Sequence, residues 1–282
     1  MSTKTLTSAV LRGIGQVFLQ NNQITGIIFL VGIFCTSWQA GIAAIIGSFI
    51  GTKTAELMGY NQEDIEDGLY GYNAVLSAIA IMVFFKFTLI TLITLVLSSI
   101  ASTLIMRSMH KRGWYPYTFP FVLSSWIFIA GLKVFHGAEY IPLNLFQATA
   151  PGVLYGITRG FSQVMLLGSV LTGVIFLVGI LFNSFKSGLY ALLGSIVGFT
   201  VAAIMFPNMY SPILLGLFGF NAALCGIAFA ERKPNSMVFA VIAMILSVFI
   251  MRGFMWYSIL GLTAPFVFSV WITARAKKVL HA

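Results

Sequence analysis

Residues 12–34 read RGIGQVFLQNNQITGIIFLVGIF, and residues 159–181 read RGFSQVMLLGSVLTGVIFLVGIL. The two stretches agree at 13 of 23 positions with an offset of 147. Two more pairs follow in the same order. GLYGYNAVLSAIA at 68–80 matches GLFGFNAALCGIA at 216–228 at 8 of 13 positions, and TFPFVLSSWI at 118–127 matches TAPFVFSVWI at 263–272 at 7 of 10. Unrelated segments of average composition agree at roughly one position in fifteen. Three blocks in one order at nearly constant offset therefore mark an internal duplication, with halves at 1–147 and 148–282.

The composition says where such a chain can live. Of its 282 residues, 59% are hydrophobic and 8% charged, against about 25% charged in soluble domains. A water-exposed surface cannot be built from so few charges, which excludes a soluble enzyme. Apolar runs fall at 24–36, 39–52, 72–92, 93–107, 117–136, 164–182, 187–206, 211–230, 235–251 and 254–274. These are continuous runs rather than the alternating segments of a membrane barrel. The expected fold is an all-α polytopic membrane protein of about ten transmembrane helices. Five spans per half is an odd number, so the second half enters from the opposite side of the membrane, as an inverted-topology repeat. Such an arrangement puts a solute path where the halves meet. Residues 1–23 lack a compact apolar core after Lys4, so the first membrane helix is expected to act as the insertion signal.

The formal charge of +9 reads as an orientation signal rather than a nucleic-acid surface. With the N terminus inside, twelve of the sixteen Lys and Arg residues fall on cytoplasmic segments, as the positive-inside rule requires, and both termini are cytoplasmic. Cys35 and Cys225 lie within apolar runs and read as buried small hydrophobes. His110, His136 and His281 are scattered. No metal-ligand spacing, nucleotide motif or serine-nucleophile elbow occurs. Neither an enzyme nor a cofactor is expected.

A shared path should leave matching polar residues in both halves. Gln16 pairs with Gln163, Asn73 with Asn221, and Thr118 with Thr263. None of the six is ionisable, whereas ion-coupled carriers usually keep acids or bases inside the membrane. Amides and hydroxyls suit a neutral, strongly hydrogen-bonding solute that needs partners to replace its water. Pro120 and Pro265, two residues after the threonines, are expected to break a helical ladder and free carbonyls. Asn73 and Asn221 are expected to cap or brace a half-helix. Tyr72 and Phe220, between glycines, are candidates for flat walls. The acidic run Glu63–Asp67 has no counterpart in the second half and reads as a solvated loop. Arg12 and Arg159 recur and read as interfacial anchors.

Together the RGIGQVFLQNN and RGFSQV, GLYGYN and GLFGFN, and TFPF and TAPF blocks resemble the urea transporter family in its bacterial form, over essentially the whole chain. The resemblance implies two inverted halves of five spans with short tilted pore helices. It also implies a homotrimer in the bacterial cytoplasmic membrane, with one pore per subunit. Urea would pass passively through a narrow uncharged slot with flat walls and a ladder of oxygen acceptors. By motif match the solute-site amides fall on Gln16 and Gln163, the mid-pore threonines on Thr118 and Thr263, and the slot aromatics on Tyr72 and Phe220. The neighbouring wall positions fall on Leu19 and Leu166, the first where the family often has Phe. Rival readings are a channel for ammonia, water or short amides, or an ion-coupled amide carrier. The chain lacks the paired Asn-Pro-Ala of water channels and the paired histidines of ammonia channels.

Overall fold

A computed structural model describes residues 1–141, 152–230 and 236–280. The chain forms two compact units, Met1–Leu143 and Asn144–Ala282. The boundary expected between 147 and 148 lies outside the described residues. The first unit holds α1 (Thr3–Gln16), α2 (Gln23–Thr36), α3 (Trp38–Leu57), α4 (Gln62–Glu66), α5 (Tyr72–Phe84), α6 (Leu89–Lys111) and α7 (Phe119–Val134). The second holds α8 (Val153–Gln163), α9 (Val170–Asn183), α10 (Phe185–Met205), α11 (Tyr210–Leu214), α12 (Gly219–Ala230), α13 (Ser236–Trp256) and α14 (Ala264–Leu280). Element for element, the helix lengths are similar, down to a five-residue α-helix at the fourth place in each unit.

The helix starts follow from local chemistry. Asn22 and Ser169 cap α2 and α9, and Ser37 and Ser184 cap α3 and α10, each side-chain oxygen taking an amide of the first turn. Such caps satisfy amides that no helical carbonyl can reach. In each unit one helix is central. Residues 72–81 of α5 and all of α12 are buried, as expected for helices apolar on every side. α5 packs against α3, α6 and α7, and α12 against α10, α13, α8 and α14. Outward faces are apolar too. Ile24, Ile27, Val31 and Phe34 on α2 and Val238, Ile242, Ile245 and Phe249 on α13 are exposed at helical spacing, a surface suited to lipid and not to water. Cys225 is buried as expected, but Cys35 is exposed. An apolar run on a lipid-facing helix does not have to be interior.

Among the described residues, three helices, α6, α10 and α13, are long and apolar enough to cross a membrane. A fourth candidate is the pair Pro207–Leu214 and Gly219–Ala230, bent by 69°. α2, α5, α7 and α9 are apolar but have only 13–16 residues. At ~1.5 Å per residue they reach roughly 20–24 Å, short of the ~30 Å hydrocarbon core. The apolar runs are thus interrupted where hydropathy is blind. The run 72–92 ends as a helix at Phe84, and Thr88 starts α6 with a capping box. The run 211–230 turns over at Gly216, and 254–274 contains the non-helical stretch 257–263.

Candidate functional site

α1 and α8 end on the two matched glutamines, Gln16 and Gln163. The chain then turns through Leu19 and Leu166, both left-handed, with φ of 58° and 62°. Both leucines are partly exposed. Gln16 Nε2 donates to the Asp67 carbonyl at 3.1 Å, and Gln163 Nε2 donates to the Leu215 carbonyl at 3.0 Å. Anchoring the NH₂ group in this way orients the amide and leaves its oxygen as the group on offer. The acceptors stand immediately before Gly68 and Gly216. Here the expectation for the acidic run needs correcting. Residues Gln62–Glu66 form a short helix rather than a loop, and the backbone position of Asp67 does have a counterpart, Leu215. The carboxylate is the part that does not recur. It pairs with Arg12 at 3.0 Å, while Arg159 donates to the Leu214 carbonyl at 3.3 Å. The two arginines therefore tie α1 and α8 to the turns beside them. The half-exposed Arg12–Asp67 pair adds at most about 1 kcal/mol.

The turns themselves depend on glycine. Gly68 and Gly216 have φ of 74° and 77°, and a Cβ on either would strike the backbone amide of Gly13 or Gly160. The Arg-Gly and Gly-Leu-x-Gly blocks are thus two sides of one backbone-to-backbone contact in each unit. Sequence reading missed the residues that fasten it. Ser48 Oγ donates to the Val10 carbonyl and Ser195 Oγ to the Ile157 carbonyl, both at 2.7 Å. The signal was available as Gly-Ser-x-x-Gly at 47–51 and 194–198, but short small-residue matches are weak among so many glycines.

The third block forms the start of α7 and α14. Thr118 is the N-cap residue of α7, with Pro120 in its first turn, and Pro265 is the second residue of α14. The prolines therefore begin helices instead of breaking a ladder. At that position the missing N–H removes a donor that would have had no helical acceptor. Asn73 reaches this turn from α5. Its Nδ2 donates to the Tyr117 carbonyl at 3.2 Å, and its Oδ1 accepts from the Phe121 amide at 3.1 Å. Asn221 does the same from α12, to the Leu262 carbonyl at 3.3 Å and from the Phe266 amide at 3.0 Å. Both asparagines are fully buried, and each bridges the residue before the helix start to an amide of its first turn. Tyr72 hydroxyl donates to the Tyr117 carbonyl at 2.6 Å, a tie that Phe220 cannot make. Thr118 and Thr263 are each 1% exposed, and Tyr72 and Phe220 3%. Each unit thus brings amides, a threonine and an aromatic ring onto adjoining turns. Apart from the outlying Arg12, Asp67 and Arg159, these groups are uncharged.

A family model described as "Urea transporter" matches residues 7–278 of the chain. Among characterised relatives, urea transporter 1 of Mus musculus is 28% identical over 242 residues, covering 78% of this chain and 61% of the relative. Urea transporter 1 of Rattus norvegicus agrees to the same extent, and that of Ovis aries is 27% identical over 238 residues. The chain spans about 61% of the length of the relatives it matches.

Proposed function

We propose that this chain, which belongs to the urea transporter family and is a multi-pass membrane protein, passes urea by passive, channel-like diffusion. The observation that carries the reading is the twofold recurrence of an uncharged site. An anchored glutamine presents Oε1, and a threonine stands at a half-helix start, in both units. Urea has four N–H donors and one carbonyl. Leaving water, it needs acceptors chiefly, and each unmet donor costs about 1–3 kcal/mol. Gln16, Gln163, Thr118 and Thr263 supply acceptors without the charge that would trap the solute or admit ions. Leu19, Leu166, Tyr72 and Phe220 supply the apolar walls of the slot. We read the transmembrane part as ten spans in two inverted five-span repeats, with α5 and α7, and α12 and α14, as the short pore helices and their continuations. The assembly is a homotrimer in a bacterial cytoplasmic membrane, with both termini on the cytoplasmic side. No reaction is catalysed.

The deciding measurement is stopped-flow light scattering on proteoliposomes under a urea gradient, with empty liposomes as control. Rapid volume recovery without any ion gradient is expected. Recovery no faster than the lipid leak would refute the assignment, and accumulation of urea driven by sodium or protons would make the chain a coupled carrier. A second expectation concerns the glutamines. Gln163→Leu should lower urea flux about tenfold, the effect of one lost acceptor. Gln20→Leu should leave the flux within about twofold, because Gln20 is 1% exposed and donates to its neighbour, the Phe18 carbonyl. Equal losses would show that the repeat pairing is no guide to the path.

A further inference from the structure

The two units share a further recurrence, carried by arginine and aromatic rings. Asn73 Nδ2 lies 3.7 Å from Met106 Sδ, and Asn221 Nδ2 lies 4.0 Å from Met251 Sδ. Met106 and Met251 therefore hold equivalent places. The next residue in each unit is an arginine, Arg107 or Arg252. Arg107 stands over the ring of Tyr60, 5.0 Å from its centroid, and Arg252 over the ring of Phe206 at 5.7 Å. Each ring meets a second one, Tyr60 with Tyr70 at 5.1 Å and Phe206 with Phe218 at 6.1 Å. Tyr70 and Phe218 belong to the matched GLYGYN and GLFGFN blocks.

The surroundings of the two arginines differ in polarity and charge. Arg107 donates to the Tyr70 hydroxyl at 3.5 Å. The Asp64 carboxylate of α4 lies within electrostatic reach of the same hydroxyl. In the second unit phenylalanines replace both tyrosines, and α11, which takes the place of α4, begins with no acid. Glu231 is the one acidic residue in 144–282, and it lies outside the described residues. Among the described residues of that unit no carboxylate balances Arg252. A second ring flanks it instead, Trp256 at 5.2 Å.

The place of Arg252 in the fold points to the anion that suits it. α13 is long and apolar enough to cross a membrane, and Arg252 stands one turn before its end. A span of that length brings its last turn to the level of the lipid headgroups. Trp256 and Tyr257, at and just after that end, are exposed, and such residues mark the same level. A guanidinium held by its face over rings keeps its N–H donors in its own plane, in a fork that matches phosphate oxygens. A zwitterionic headgroup would also bring an ammonium, for which the described residues of this unit hold no carboxylate.

We propose that Arg252, framed by Phe206 and Trp256, binds the phosphate of an anionic phospholipid headgroup at the end of α13. The site is independent of the path and of the solute that the path carries. Arg107, with a hydroxyl and a carboxylate of the protein near its rings, is the equivalent residue without this role.

The test is a thermal-shift titration of the delipidated protein in detergent. The probes are dioleoyl phosphatidylglycerol, dioleoyl phosphatidylcholine and inorganic phosphate. A ligand that binds only the folded form raises the melting temperature. Phosphatidylglycerol is expected to raise it, phosphatidylcholine to raise it less, and inorganic phosphate to leave it unchanged. Arg252→Gln should weaken the apparent affinity for phosphatidylglycerol about tenfold, the loss of one charge-assisted contact. Arg107→Gln should leave that affinity unchanged. Parental affinity in Arg252→Gln would overturn the proposal, as would equal shifts from the two lipids. A shift with inorganic phosphate that Arg252→Gln abolishes would make this a site for a soluble anion and overturn the lipid assignment. Should Arg252→Gln fail to purify as a monodisperse protein, Arg252→Lys serves in its place. It keeps the charge but loses the planar fork, so its affinity should fall between those of the parent and phosphatidylcholine binding. Parental affinity in the lysine variant would count against the proposal.

Discussion

Thr263→Val is expected to reduce urea flux by one to two orders of magnitude while the protein still purifies in folded form. Valine matches threonine in shape and removes one hydroxyl, so packing around this buried position (1% exposed) changes little. A urea N–H left without an acceptor in a water-poor slot costs about 1–3 kcal/mol, and each 1.4 kcal/mol is a factor of ten in rate. Replacing an N-cap threonine with an apolar residue would ordinarily cost the helix about 1 kcal/mol. That loss is not expected here, since the third amide of α14 already bonds to Asn221 at 3.0 Å. Thr118→Val should act in the same way in the other unit. The measurements are proteoliposome flux, for the path, and thermal unfolding in detergent, for the fold. Unchanged flux in both variants would remove the threonines from the path. A lowered melting temperature with proportionate loss of flux would mean that the hydroxyls serve the fold.

Gly68→Ala and Gly216→Ala are expected to be strongly destabilising. Two costs combine. A left-handed φ of 74° or 77° penalises any residue with a Cβ by about 1–2 kcal/mol. The Cβ then meets the backbone of Gly13 or Gly160, and separating two backbones typically adds about 1–3 kcal/mol. Against a stability of about 5–15 kcal/mol for a typical domain, that sum is large. Gly59 and Gly113 provide the control. Their φ values are also positive, 65° and 73°, but nothing lies within 4 Å of a Cβ built there. Gly59→Ala and Gly113→Ala should therefore lose the conformational part alone. Thermal melts of the four variants separate the terms, and equal shifts for all four would mean that the α1 and α8 contacts are not tight. Flux through Gly68→Ala should fall as well, because the Asp67 carbonyl that orients Gln16 is the next group along the backbone.

Gln16, Gln163, Asn73, Asn221, Thr118 and Thr263 could all be picked out by pairing the halves. A polar side chain repeated in an apolar background is visible letter by letter. The structure places all six at the turns where short helices begin or end. What could not be picked out was how each is held. The glutamines donate to Asp67 and Leu215, two residues with nothing in common except a carbonyl. By side chain, the first belongs to an acidic run and the second carries no polar signal. The prolines misled for a related reason. The same Pro breaks a helix in its interior and favours one at its start, and only the position of the helix decides between the two.

By itself, then, the sequence determined the membrane setting, the duplication and the polar pairs. These depend on quantities carried by side chains one at a time: transfer out of water, and identity at a fixed offset. Tertiary structure decided where apolar runs stop being helices, which glycine faces which backbone, and that an asparagine from α5 or α12 caps a helix begun by a threonine more than 40 residues away. Those outcomes rest on main-chain donors and acceptors, which every residue carries alike and no residue letter records. They are selected only when packing brings one backbone against another and every buried N–H and C=O must find a partner.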